Sequence, residues 1–112
     1  MPVFIKNMIY NFAKDVQQLL GTDLSRVIVY GSYARGDYTE KSDVDVMILV
    51  KTPENAIREY SEQIADCAFE FLMKYGIDIS PVIKNEEHFY YWVDNLPFYR
   101  SVRDEGVVVD VG

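Results

Sequence analysis

The stretch that most constrains this chain runs from Val27 to Val50, VIVYGSYARGDYTEKSDVDVMILV. Two apolar runs, too short for helices and rich in β-branched residues, flank a polar segment, so the stretch reads as strand, connection, strand. The first run stops at Gly31-Ser32, and ten residues later Asp43-Val44-Asp45 opens the second. Strand side chains repeat every second residue at a rise of ~3.3 Å, which puts Asp43 and Asp45 on one face, roughly 7 Å apart along the chain. At an effective dielectric of ~20, two carboxylates about 5 Å apart repel by ~3 kcal/mol, and no basic residue stands between them. A divalent cation is the simplest relief. Mg2+ prefers one or two carboxylates plus substrate phosphates to an all-protein cage, so the pair points to a phosphate-bearing substrate. Gly31 lets the backbone approach a ligand closely, and Ser32 offers a hydroxyl and an amide at the start of a turn or helix, where phosphates are well received.

Gly-Ser, a spacer of this length and Asp-x-Asp together resemble the signature of the nucleotidyltransferase superfamily of the DNA polymerase β type. The extended form GSYARGDYTEKSDVDVMI is similar to the minimal nucleotidyltransferases of prokaryotes, and the resemblance spans nearly the whole chain. It implies that Gly31 and Ser32 hold the nucleotide phosphates, and that Asp43 and Asp45 bind two Mg2+ ions for in-line nucleotidyl transfer, with ATP as the donor of AMP. It also implies a third carboxylate on the strand after the next helix, holding the metal nearer the acceptor, and Asp78 is the only acid there. Ser42 matches a serine that contacts the nucleotide in relatives, or is a turn residue before a strand. Arg35 reaches the phosphates or clamps a nearby acid such as Asp37; the sequence leaves both open. Some relatives carry a basic residue where Tyr33 stands, so that contact is missing here. Many minimal nucleotidyltransferases are encoded beside a HEPN-type toxin and some act as its antitoxin. The implied acceptor is a tyrosine of such a partner.

The rest of the chain supplies a scaffold. Ile5, Met8/Ile9, Phe12, Val16 and Leu19/Leu20 follow helical spacing up to Gly21, which predicts a first amphipathic helix over 3–20. Arg26 to Tyr30 and Asp43 to Val50 are strands. The second is apolar on both faces beyond its acids, the pattern of a central strand. Thr52-Pro53 reads as a cap and first position of a helix continuing through Ile57, Ile64, Cys67/Ala68 and Phe71/Leu72 until Gly76 stops it. Ile77 to Ile83 is a third strand with Asp78 opposite its covered face, and Pro81 makes it an edge or a bend. Asn85 caps a helix carrying His88 and the aromatic group Phe89 to Trp92, which divides between core and interface. Asn95 to Glu105 is a last helix, and Gly106 leads into a strand at Val107-Val108-Val109. The expected fold is α+β, a nucleotidyltransferase-type sandwich forming one domain over residues 1–112. Its mixed sheet has about four strands with helices on one face, and the open face carries Asp43, Asp45 and Asp78.

Composition narrows the function. With 112 residues the chain can bury well over half of its unfolded surface. No run reaches the ~20 apolar residues of a membrane span, and no secretory pattern opens the chain. Cys67, the single cysteine, lies in the helical pattern as a buried structural thiol; a prokaryotic cytoplasm is the expected compartment. The net charge of −7 and the lack of a basic stripe argue against direct binding of long nucleic acid. Only some thirty residues follow Asp78, too few for a second substrate domain, which favours a protein partner. A homo-oligomer, an aminoglycoside-type small-molecule nucleotidyltransferase completed by a dimer, an RNA nucleotidyltransferase disfavoured by charge, and a non-catalytic module that neutralises its partner by occlusion remain as alternatives.

Overall fold

The computed structural model describes residues 1–112. Helix α1 spans Val3–Leu20 and buries Ile5, Met8, Ile9, Phe12, Ala13, Val16 and Leu20, one stripe at helical spacing. Leu19, expected to share that stripe, is instead 41% exposed. It stands in the last turn of the helix and lines an open groove with Gln18, Gln63 and Asp66. Gly21, at φ 57, turns the chain into strand β1, Leu24–Tyr30, which begins two residues earlier than its apolar run. A one-turn helix α2, Ser32–Arg35, follows Gly31, and strand β2 is Val44–Val50. Pro53 opens a 3-10 turn at Glu54–Ala56, and helix α3 then runs over Arg58–Tyr75 without a side-chain cap, so Thr52-Pro53 is not the helix start that the sequence suggests. Gly76, left-handed at φ 70, ends α3 as expected.

Strand β3 is Ile79–Asn85, followed by α4 at Glu86–Trp92, α5 at Pro97–Glu105 and β4 at Val107–Val109. Asn85 caps α4 by accepting from the His88 N–H at 2.9 Å. The strands lie in the order β3-β2-β1-β4. The β1/β2 and β1/β4 pairs are antiparallel, while β2/β3 is parallel with α3 as its crossover. Along β3 the Val44 N–H bonds the Asp78 carbonyl at 2.8 Å, and Val44 and Val46 stand opposite Ile79 and Pro81. In a parallel ladder those opposite residues turn their own N–H groups away from β2. Pro81 therefore lacks a donor only on the outer edge, where none is needed.

Strand β2 is buried on both sides. Val44, Val46, Ile48 and Val50 join the main core with α1 and α3, whereas Met47 and Leu49 join a smaller core with Ile28, Phe89, Val93, Tyr99 and Val102. The sheet thus has its long helices on one face, as expected, but the short helices α4 and α5 cover part of the other, which was expected to be open. The reason is the aromatic segment: Phe89 and Tyr99 are its core members, and they need an apolar surface that Met47 and Leu49 provide. Tyr90, Tyr91, Trp92 and Phe98 stay exposed. What remains open on this face is the end of the sheet where β1 stops and β2 starts.

Candidate active site

That open end gathers the two halves of the Gly-Ser and Asp-x-Asp stretch. Antiparallel pairing sets Tyr30 directly opposite Asp45, so the turn at Gly31 meets the first residues of β2. Gly31 has φ 74 and ψ −153, a conformation that only glycine adopts without strain. A Cβ there would fall 2.3 Å from Asp45 Oδ2. The Asp45 carboxylate lies directly over the Gly31 backbone, and no other residue could stand at position 31 without moving it.

Ser32 begins α2, and Gly36, left-handed at φ 93, ends it after a single turn. The loop that follows is tied internally. Tyr38 stacks on Tyr33 with ring centroids 4.6 Å apart, and the Thr39 N–H donates to Ser42 Oγ at 2.8 Å. Ser42 therefore serves as a turn residue here, its Oγ also paired with Thr39 Oγ1 at 3.4 Å. Asp43 is exposed and Asp45 half-buried. Burial raises the Asp45 carboxyl above its ordinary range, the Asp43 charge raises it further, and Arg35 draws it back down. Arg35 itself donates from Nε to Asp37 Oδ2 at 3.3 Å and from Nη1 to Glu105 Oε2 at 3.1 Å. The clamp on Asp37, one of the two readings that the sequence left open, is present, with a second acid that the sequence did not suggest.

Two further residues flank Asp45 on this face. Tyr30, packed edge-on against Phe98 at 5.6 Å, has its phenol pushed up to about 12 by burial and by Asp45, so it remains a neutral hydrogen-bond donor. Ser80 is the β3 residue opposite Asp45. Asp78 stands one residue before β3 and not within it; its carbonyl bonds β2, its side chain is exposed, and it lines the head of a groove between α3 and β3. Asp43, Asp45 and Asp78 do not form a three-carboxylate cluster in this conformation. Cys67 is far from this chemistry, its thiol pushed up to about 11 by burial and by Asp15 and Glu70, the inert state expected of it. His88 is partly exposed, and its Nδ1 pairs with the Tyr99 hydroxyl at 3.1 Å, a packing role.

The family model of the nucleotidyltransferase domain matches residues 9–109, nearly the whole chain. The chain belongs to this family. It is a nucleotidyltransferase with a mixed four-stranded sheet, and its relatives agree. A Methanocaldococcus jannaschii protein named "Putative protein adenylyltransferase" is 48% identical over 79 residues, covering 70% of this chain and 78% of the relative. Among solved structures, the toxin–antitoxin MntA–HpeT mutant matches with a TM-score of 0.58 at 14% identity, covering 92% of this chain and 73% of that one. A toxin–antitoxin structure with AMP-PNP matches with a TM-score of 0.54 at 16% identity over the same shares of the two chains. At such identities the structural likeness speaks for the fold. No helix of this nucleotidyltransferase domain is long and apolar enough to cross a membrane.

Proposed function

We propose that this nucleotidyltransferase transfers AMP from ATP to a tyrosine hydroxyl of a partner protein, a HEPN-type toxin, and so acts as its antitoxin. The observation that carries the reading is the contact of the Asp45 carboxylate with the Gly31 backbone, because it brings a carboxylate pair and a phosphate-accepting turn to one point. The relative named as a protein adenylyltransferase supports a protein acceptor, and the toxin–antitoxin neighbours, one with AMP-PNP, support the partner class and the nucleotide. The net charge of −7 speaks against a nucleic-acid acceptor.

The residues fit a divalent metal. Asp45 is raised by its burial and by Asp43, and the cation that offsets them, Arg35, is shared with two other acids, so the pair is short of positive charge. Asp43 and Asp45 would hold two Mg2+ ions, with open positions left for phosphate oxygens. When bound, the metal supplies charge neutralisation and Lewis acidity at the phosphoryl oxygens. Gly31 and the first amides of α2 receive the β- and γ-phosphates, helped by the Ser32 hydroxyl, and Ser42 turns its hydroxyl from Thr39 to the nucleotide. The tyrosine oxygen attacks the α-phosphorus, the bond to the bridging oxygen of the β-phosphate breaks, and pyrophosphate leaves. Asp78, on the segment hydrogen-bonded to the start of β2, takes the role of orienting the acceptor and receiving its proton, which passes on to solvent.

The test is to incubate the chain with Mg2+, ATP and the product of the adjacent gene and to measure intact mass. Addition of one or more AMP units, mapped to tyrosine and lost in the Asp43→Asn/Asp45→Asn double mutant, is the expected result. Asp78→Asn should lower turnover far more than nucleotide affinity, because its contact is made mainly in the transition state. Inhibition of the partner with no mass shift would replace the reading with occlusion.

A further inference from the structure

Arg35 closes the single helical turn that begins at Ser32, its N–H on the Gly31 carbonyl at 3.0 Å, and its guanidinium is held by two carboxylates, Asp37 and Glu105. Asp37 is two residues away and moves with the same turn. Glu105 is 70 residues on, the last residue of α5, so this second tie comes from a different part of the molecule. The end of α5 is itself pressed onto the sheet. At Gly106 a Cβ would meet the Val102 carbonyl at 2.2 Å and Ile28 Cγ2 at 2.5 Å, so glycine alone allows this approach, and the Gly106 N–H bonds the Val102 carbonyl at 2.9 Å. Glu105 is thereby fixed relative to β1, the strand that leads into Gly31.

A guanidinium presents five N–H donors in one rigid plane. The two ion pairs engage Nε and Nη1 and leave the rest of the fork free. A long side chain held before the ligand arrives loses less freedom on binding than a mobile one. Exposed ion pairs add little to fold stability, so unfolding is the wrong readout for this tie.

We propose that Glu105 is a positioning residue for the nucleotide: by holding Arg35 through Nη1, it presents the free edge of the guanidinium to the triphosphate at Gly31-Ser32. This role rests on the nucleotide-transfer reading given above. The opposite arrangement, in which Glu105 competes with phosphate for Arg35, predicts a change of the opposite sign, so a single measurement separates them.

The experiment is calorimetric titration with Mg2+–AMP-PNP of the wild type, Glu105→Ala, Glu105→Gln, Arg35→Ala and the Glu105→Ala/Arg35→Ala double mutant. Removing either partner should weaken binding on the order of 3- to 10-fold, as loss of a preorganised charged contact does. Glu105→Gln keeps an acceptor for Nη1 and should recover most of the affinity, and the double mutant should be no weaker than Arg35→Ala alone, because the residues act as one unit. The order parameter of the Arg35 Nε–H bond, read by NMR without nucleotide, should fall in Glu105→Ala. Tighter binding by Glu105→Ala, additive losses in the double mutant, or an unchanged order parameter would overturn the role. A wild type that binds no Mg2+–AMP-PNP overturns the nucleotide-transfer reading and this role together; a wild type that binds, matched by Glu105→Ala, overturns this role alone.

Discussion

At Asp45 the needs of the site and of the fold oppose each other. Its carboxyl is raised first by burial and then by Asp43. A carboxyl whose folded pKa lies above the unfolded value, about 3.9 for aspartate, contributes stability when protonated. That contribution is present at low pH and is lost as pH rises through the folded value. At neutral pH the ionised group works against the fold. Asp45→Asn should therefore raise the melting temperature of the metal-free protein at pH 7, by the equivalent of less than about 1 kcal/mol for so open a site, while removing Mg2+-dependent nucleotide binding. A melting temperature that falls would show that Asp45 holds the fold together instead. Gly31→Ala should do the reverse: left-handed strain and the contact with Asp45 should cost about 1–3 kcal/mol, seen as a lower urea midpoint. The meeting of Gly31 with Asp45 is legible in the sequence because the two lie at the facing ends of neighbouring strands joined by one connection. Tyr30 and Ser80 are not, since they depend on register, and the tie from Glu105 depends on where a distant helix ends.

At the level of elements, helix α1 shows how far an apolar pattern can be trusted. Phe12 and Leu19 both fit the sequence periodicity, but Phe12 is fully buried and packs edge-on against Phe71 of α3 at 5.5 Å, whereas Leu19 faces outward. Phe12→Ala should cost about 3–5 kcal/mol through lost contacts and a cavity, and Leu19→Ala should stay within about 0.5 kcal/mol. Equal losses in denaturant titrations would contradict the packing described. Strand β2 is legible as central because both of its faces are apolar, and β3 is legible as an edge because Pro81 can stand only there. The start of α3 is not legible: Thr52-Pro53 carries the chemistry of a helix start, but the crossover from β2 to the far side of the sheet first uses a 3-10 turn. Both short helices are legible, but their place on the second face is not, since Phe89 and Tyr99 show aromatic bulk without showing which strand face they will cover.

Across the whole molecule, the acid site is the local part of the structure and its surroundings are the remote part. The β1/β2 pair closes over a short connection, while β1 meets β4 only through pairs such as Val27 with Val109. Long-range pairs form late because chain closure must come before any gain from contact. On a ribosome, synthesis runs from the N-terminus, so the hairpin with Gly31 and Asp45 emerges well before Glu105 and β4. Until then β1 carries a bare hydrogen-bonding edge, the kind of edge on which chains associate. Nascent chains stalled at residue 100 should be cut readily by protease and bind Mg2+–AMP-PNP poorly, and chains that include residues 101–112 should resist and bind; a chain stalled at residue 100 that is as resistant as the longer one would contradict this order. On this order, the pairing of β4 is a checkpoint in time for the nucleotide binding proposed above.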